Sequence, residues 1–316
     1  MPRPVLSAHV SCDDCRVSAL VVLLVGLIAG IVVRRWRRPP EGAAAMVNTW
    51  LLDIALPALV LHAMHEVRFP DNLALVLAAP YLLFAVSTGL YLLAARPLRL
   101  RRETVTALIA ATAVANTSFV GFPMVTAFYG ADSVPIAVLV DQLGSFLLLN
   151  TVVLSLVTVV AGASLPRAEL TRRVLTAPAL LALMTALVLR PVSFPGWLDS
   201  ALVSLGGTLT PLALFSIGLQ LEVRAVRRWW RELVLGLGVK LVAAPAIVVG
   251  LYGLAGGLGD HAVTIALFET AMPPMVAGAL IAARQDLATP LPSLLVGVGV
   301  PLSFVTLPLW SLLLGS

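Results

Sequence analysis

The chain is poor in charge. Only 12% of its 316 residues are Asp, Glu, Lys or Arg, about half the share of a water-soluble domain. Hydrophobic residues make up 59%, and the mean hydropathy is +1.00. So few polar side chains cannot clothe a soluble surface, so lipid must be part of the solvent. Lysine is nearly absent, with Lys240 the single one among 21 basic residues. Cysteine is scarce too, and a pair at Cys12 and Cys15 cannot frame a disulfide scaffold. Their C-x-x-C stands ahead of the apolar runs, where a strained disulfide, a weak metal site and a plain leader are all open. The leader is the simplest reading. The four histidines, His9, His62, His65 and His261, fall at or beyond the ends of the apolar runs. There, interfacial solvation explains His62 and His65 better than a metal does. The chain has no G-x-x-x-x-G-K-[ST], H-E-x-x-H or G-x-S-x-G motif. The expectation is a protein that is no enzyme, with no cofactor and no metal site. No gap between apolar runs is long enough for an attached soluble domain.

What is present is a succession of apolar runs. A membrane helix needs about 20 such residues. Ten segments qualify: 17–33, 46–65, 71–95, 104–128, 134–161, 174–190, 199–220, 232–255, 261–283 and 291–314. A membrane β-strand alternates in polarity over about 10 residues, and these runs do not. They are rich in Leu, Val and Ala, which predicts an all-α membrane protein of ten transmembrane helices.

The basic residues fix an orientation. The net charge of +5 and pI of about 9.9 suggest nucleic acid at first sight, but the arginines sit in short clusters between apolar runs. Arg34, Arg35, Arg37 and Arg38 follow the first segment, Arg96 to Arg102 the third and Arg167 to Arg173 the fifth. Arg224 to Arg231 follow the seventh and Arg284 the ninth, so sixteen of the 21 basic residues follow odd-numbered segments. Cytoplasmic loops carry this excess. The predicted topology is N-out and C-out, and no nucleic-acid partner is expected.

A shift of 154 residues superimposes Pro57 on Pro211, Asn116 on Thr270 and Asp132 on Asp286. The organisation expected is a disordered extracytoplasmic leader over 1–16, a first five-helix repeat over 17–162, a cytoplasmic linker over 163–173, and a second repeat over 174–316. Five spans per half force the second half to enter from the opposite side, so the repeats are inverted.

Two segments are interrupted at matching places. The fourth contains Asn116-Thr117-Ser118-Phe119-Val120-Gly121-Phe122-Pro123, and the ninth Glu269-Thr270-Ala271-Met272-Pro273-Pro274. Proline removes an N–H and clashes with the preceding turn, and Gly121 beside Pro123 loosens it further. Freed backbone groups in lipid are tolerated only inside protein or around a cavity. A matched pair of breaks marks a transporter binding site, where half-helix N-termini offer N–H groups to an anion. The candidate contacts are Asn116, Thr117, Ser118, Glu269 and Thr270, with Gln142, Ser145, Ser216 and Gln220 weaker. Asn116 serves equally as a cap of a half-helix.

Charges within spans cost about 2.5–3.5 kcal/mol on insertion scales and usually face a cavity or a partner. Asp53, Asp141, Lys240 and Glu269 are such groups, with Glu222 nearer an end. Glu269 adjoins the second break and is a candidate proton carrier. Asp53, Asp141 and Lys240 are further proton- or ion-coupling candidates, and any of the acids can pair with Lys240.

The motifs together resemble a known family. Asn116 to Pro123 is similar to the N-T-x-F-x-G-x-P stretch of bacterial auxin efflux carriers. Asp53-Ile54-Ala55-Leu56-Pro57-Ala58-Leu59 resembles their second-helix motif, and Thr210-Pro211-Leu212-Ala213-Leu214-Phe215 through Gly218 their seventh. Lys240 to Pro245 and Leu307-Pro308-Leu309-Trp310 also fit. The resemblance implies crossed helices four and nine, a fold shared with bile-acid/sodium symporters and plant PIN carriers. It implies a scaffold of segments one, two, six and seven, which often dimerises, and a mobile transport domain of the rest. It further implies small organic anions as substrates, bound at the crossing through Asn116 and carried by an elevator-like movement, with H+ or Na+ coupling. A bacterial inner membrane and a homodimer are expected on the same ground. A sodium-coupled symporter of the bile-acid type is the alternative. Asp53 stands where the family often has Asn, and Glu269 with Thr270 replaces the second asparagine of the PIN carriers.

Overall fold

A computed structural model describes residues 12–37, 39–40, 42–65, 67–220 and 225–315. Residues 1–11 of the expected leader and Glu222 lie outside the described residues. Thirteen helices follow in order: α1 (Cys12–Arg37), α2 (Ala43–His65), α3 (Leu73–Ala95), α4 (102–113), α5 (117–129), α6 (Ala131–Val160), α7 (Arg167–Leu175), α8 (Pro178–Val188), α9 (Gly196–Gln220), α10 (Trp230–Leu254), α11 (His261–Thr270), α12 (Val276–Arg284) and α13 (Leu291–Leu314). Among the described residues there is no strand beyond one isolated bridge. Six helices, α2, α3, α6, α9, α10 and α13, are long and apolar enough to cross a membrane, and α7 with α8 would make a seventh.

Some boundaries differ from the sequence expectation. The first helix starts at Cys12, inside the stretch assigned to a leader. The linker expected over 163–173 carries α7, and the segment 174–190 is split by a 54° bend. Pro178 explains the split, because the residue before a proline is pushed out of helical geometry. Ala177 has ψ 125°, and Pro178 then opens α8 at a position where its missing N–H costs nothing.

Proline also shapes the helices it does not end. Of six π-helical turns among the described residues, three occupy Leu51–Ala55, Thr117–Gly121 and Val239–Ala243. Each is followed two residues later by a proline: Pro57, Pro123 and Pro245. A proline inside a helix cannot donate to the carbonyl four residues back, and its ring crowds that carbonyl. Here that carbonyl always lies within the π turn, where the wider loop gives it room. Such turns often sit at functional positions, and these three carry Asp53, Thr117 with Ser118, and Lys240.

The core lies along α4, α5 and α11. Every residue from 104 to 125 and from 265 to 276 is buried. The outer surface is apolar by contrast, with Leu93, Val188, Leu254 and Leu312 each more than 70% exposed, as lipid rather than water requires. Small residues let the inner helices approach closely. A Cβ on Gly26 of α1 would stand 2.9 Å from the Pro211 carbonyl oxygen of α9, and Gly30 faces Gly218 in the same seam. Gly278 of α12 lies against the Ala110 carbonyl of α4.

Among the described residues, side-chain hydrogen bonds between helices fall into two sets. Trp50–Thr208, Ser216–Asn48, Arg34–Leu219 and His62–Asp199 tie α1, α2 and α9 together, and Arg190–Val67 ties the end of α8 to that of α2. Tyr81–Leu143, Tyr91–Thr112 and Tyr252–Leu75 tie α3 to α6, α4 and α10, Ser133–His261 ties α6 to α11, and Trp310–Leu241 ties α13 to α10.

Candidate functional site

The two broken helices meet. α4 ends at Ala113 and α5 begins at Thr117, while α11 ends at Thr270 and α12 begins at Val276. Their intervening residues pair as a short antiparallel bridge between Ala115 and Pro274. The Asn116 amide donates to the Pro273 carbonyl at 3.1 Å, and the Met275 amide to the Ala111 carbonyl at 2.8 Å. Each unpaired backbone group in an apolar interior costs several kcal/mol. The two breaks therefore stabilise one another, and neither could stand alone.

Around this crossing the expected polar residues gather. The Asn116 Oδ1 caps α5 by accepting from the Phe119 amide at 3.3 Å. Its Nδ2 is buried with no hydrogen-bond partner. Thr117 and Ser118, in the first turn of α5, both donate to Oδ1 of Asp141 on α6, Ser118 at 2.6 Å. Gln142 Nε2 donates to the other oxygen at 2.7 Å. With three donors Asp141 is a satisfied carboxylate, which locks α5 onto α6.

Glu269 is different. It is fully buried at the end of α11, and neither carboxylate oxygen has a hydrogen-bond partner. A Cβ on Gly121 would lie 2.6 Å from Glu269 Oε1, so the carboxylate rests on the bare backbone of α5. Asp141 and Lys240 act on it electrostatically in opposite senses. Lys240, also fully buried, donates from Nζ to the Thr270 carbonyl at 2.9 Å. The Gln142 Oε1 and Ser145 Oγ, both buried, are unpartnered as well.

Not every candidate arrives here. Asp53 is exposed on α2, where its stretch packs on α8 and α9. It does not pair with Lys240. Gln220 donates to Ser216, whose hydroxyl donates to Asn48 of α2, and the Thr270 hydroxyl bonds its own helix at Leu267. Pro123, Pro273 and Pro274 shape the breaks. Sequence reasoning missed the contact between Gly121 and Glu269 and the role of Gln142 as a ligand of Asp141. Gln142's position next to an intramembrane acid was the available signal.

The crossing thus holds spare donors from Asn116 and Lys240, spare acceptors from Glu269, Gln142 and Ser145, and two broken backbones. Comparison with known proteins agrees with a membrane carrier. A family model described as membrane transport protein matches residues 16–311. An uncharacterized transporter of Methanothermobacter thermautotrophicus is 26% identical over 301 residues, covering 94% of this chain and 96% of that protein.

Proposed function

The chain belongs to the membrane transport protein family, of the auxin efflux carrier type, and from that premise we propose that it is a secondary active transporter of small organic anions, carboxylates above all. The cargo binds where the helix breaks cross. The observation that carries this reading is the pairing of the two breaks around a buried cluster whose Asn116 Nδ2 and Glu269 carboxylate have no hydrogen-bond partner. Nothing in a merely structural crossing calls for polar groups left unsatisfied at that depth.

In this reading the protein crosses a bacterial inner membrane ten times, with both termini outside. α4 with α5, and α11 with α12, then count as one broken span each, and the halves form inverted repeats. α1, α2, α8 and α9 form the scaffold, and the remaining spans ride past it as an elevator. The separation of interhelical hydrogen bonds into two sets along this division supports it, since a seam with few polar ties can slide. The scaffold is the expected homodimer surface.

Charge balance favours a proton as the coupling ion. Asp141 and Glu269 oppose one cation, Lys240. A carboxylate cargo would add a further negative charge to a buried site, which is costly in a low dielectric. A proton on Glu269 offsets the charge that a carboxylate adds, so cargo and proton bind together.

The test is counterflow of radiolabelled malate, malonate and indole acetate in liposomes, with and without sodium. Exchange of any of them in sodium-free medium is the expected result. A strict sodium requirement would favour a bile-acid-type symporter, and no exchange by folded protein would remove these cargoes.

A further inference from the structure

Lys240 is the single lysine of the chain, and its ammonium reaches the crossing of the two breaks. Its side chain is fully buried and leaves a π turn of α10 toward the end of α11. There the ammonium donates to the Thr270 carbonyl, one of the orphan acceptors at a helix C-terminus, where the helix dipole is negative. The neighbouring residue is Glu269, whose buried carboxylate accepts no hydrogen bond. Lys240 is the positive charge that acts on it, and Asp141 on α6 acts in the opposite sense. A carbonyl oxygen and a carboxylate at a broken helix are hard oxygen ligands of the kind that attract a hard metal cation. The covalently held ammonium of Lys240 already bonds the carbonyl and acts on the carboxylate through its charge.

We propose that Lys240 is a tethered cation that fills the cation position at the helix crossing, so that the crossing holds its closed geometry without any dissolved metal ion. The proposal rests on the reading of the crossing as the transport site, but its test does not require the cargo to be known. Lys240 acts here through Glu269 and the end of α11, as a positioning residue. Shortening it to alanine would leave a buried void beside Glu269 and the Thr270 carbonyl, with a net negative charge. Such a polar void can hold a water-sized guest, and a small monovalent cation is the guest that restores the charge.

The measurement is thermal unfolding of the purified protein in sodium, potassium, ammonium or N-methylglucamine salts at constant ionic strength. The wild-type midpoint is expected to be the same in all four. Lys240→Ala is expected to unfold earlier in N-methylglucamine and to regain roughly 3 °C or more in at least one small cation. A wild type stabilised by sodium over N-methylglucamine, or a Lys240→Ala protein indifferent to the cation, would overturn the proposal. If Lys240→Ala does not fold, Lys240→Met is compared with Lys240→Met/Glu269→Gln. Removing the carboxylate is then expected to recover most of the lost stability, and no recovery would overturn the proposal equally. A negative counterflow result with a positive melting result would remove the carboxylate cargoes and leave the tethered cation in place.

Discussion

At the scale of single residues, the crossing separates two acids that look alike in sequence. Asp141 has three side-chain donors, whereas Glu269 has none. The first is held by its donors as a clamp between α5 and α6, and the second is, in the proposed reading, the group that exchanges a proton as the cargo comes and goes. Glu269→Gln keeps the size and removes the titration. In counterflow with equal pH on both faces, the wild-type rate is expected to fall as pH rises between about 6 and 8, where carboxylate cargoes stay ionised. The slope approaches about tenfold per unit if one proton is obligatory. Glu269→Gln is expected to give a flat profile. An unaltered slope in that variant would remove Glu269 as the proton carrier. Both acids were legible from the sequence as charges inside apolar runs, and Asn116 as a polar residue beside a break. The position of Asp53 was not. A segment that is apolar all round gives no periodic signal of which side faces inward, so an exposed acid and a buried one read the same. The Lys240–Thr270 bond was hidden for a related reason, since it joins residues 30 positions apart on different helices.

At the scale of elements, backbone approach decides what can be changed. The prolines and Gly121 announced the two breaks, but only the folded chain brings the breaks into register as one bridge. Glycines show the same divide between pattern and contact. Gly278 lies on the Ala110 carbonyl, so a side chain there must push α12 away from α4 and strain the crossing. Gly250 of α10 has no atom within 4 Å of a would-be Cβ. Overpacking costs about 1–3 kcal/mol, and a helical Gly→Ala change in open space gains about 0.5–1 kcal/mol. Gly278→Val is therefore expected to lower the unfolding midpoint by roughly 5 °C and to abolish counterflow, whereas Gly250→Ala leaves transport intact and raises the midpoint slightly. Thermal unfolding in detergent checks both. Equal midpoints for the two variants would mean that the close approach at Gly278 carries no strain.

At the scale of the whole molecule, the claim with the most consequence is that the two halves are inverted. Offset by 154 residues, the loop after α3 in the first half corresponds to the loop after α10 in the second. If the halves are inverted about an axis in the membrane plane, these equivalent loops lie on opposite faces. Arginine placement supports the same arrangement, because the α3–α4 loop carries Arg96, Arg99 and Arg101 while the α10–α11 loop carries none. Leu98 and Leu258, 55% and 50% exposed, mark the two loops, and Val192 at 55% marks the α8–α9 loop. With Cys12 and Cys15 replaced by serine, single cysteines at these positions can be labelled in whole cells by a membrane-impermeant maleimide. Leu258→Cys and Val192→Cys are expected to react from outside, and Leu98→Cys only after the cells are opened. Labelling of Leu98→Cys and Leu258→Cys from the same face would mean parallel halves. Alternating access would then lose its symmetry basis, since neither half could take the other's conformation to open the opposite side.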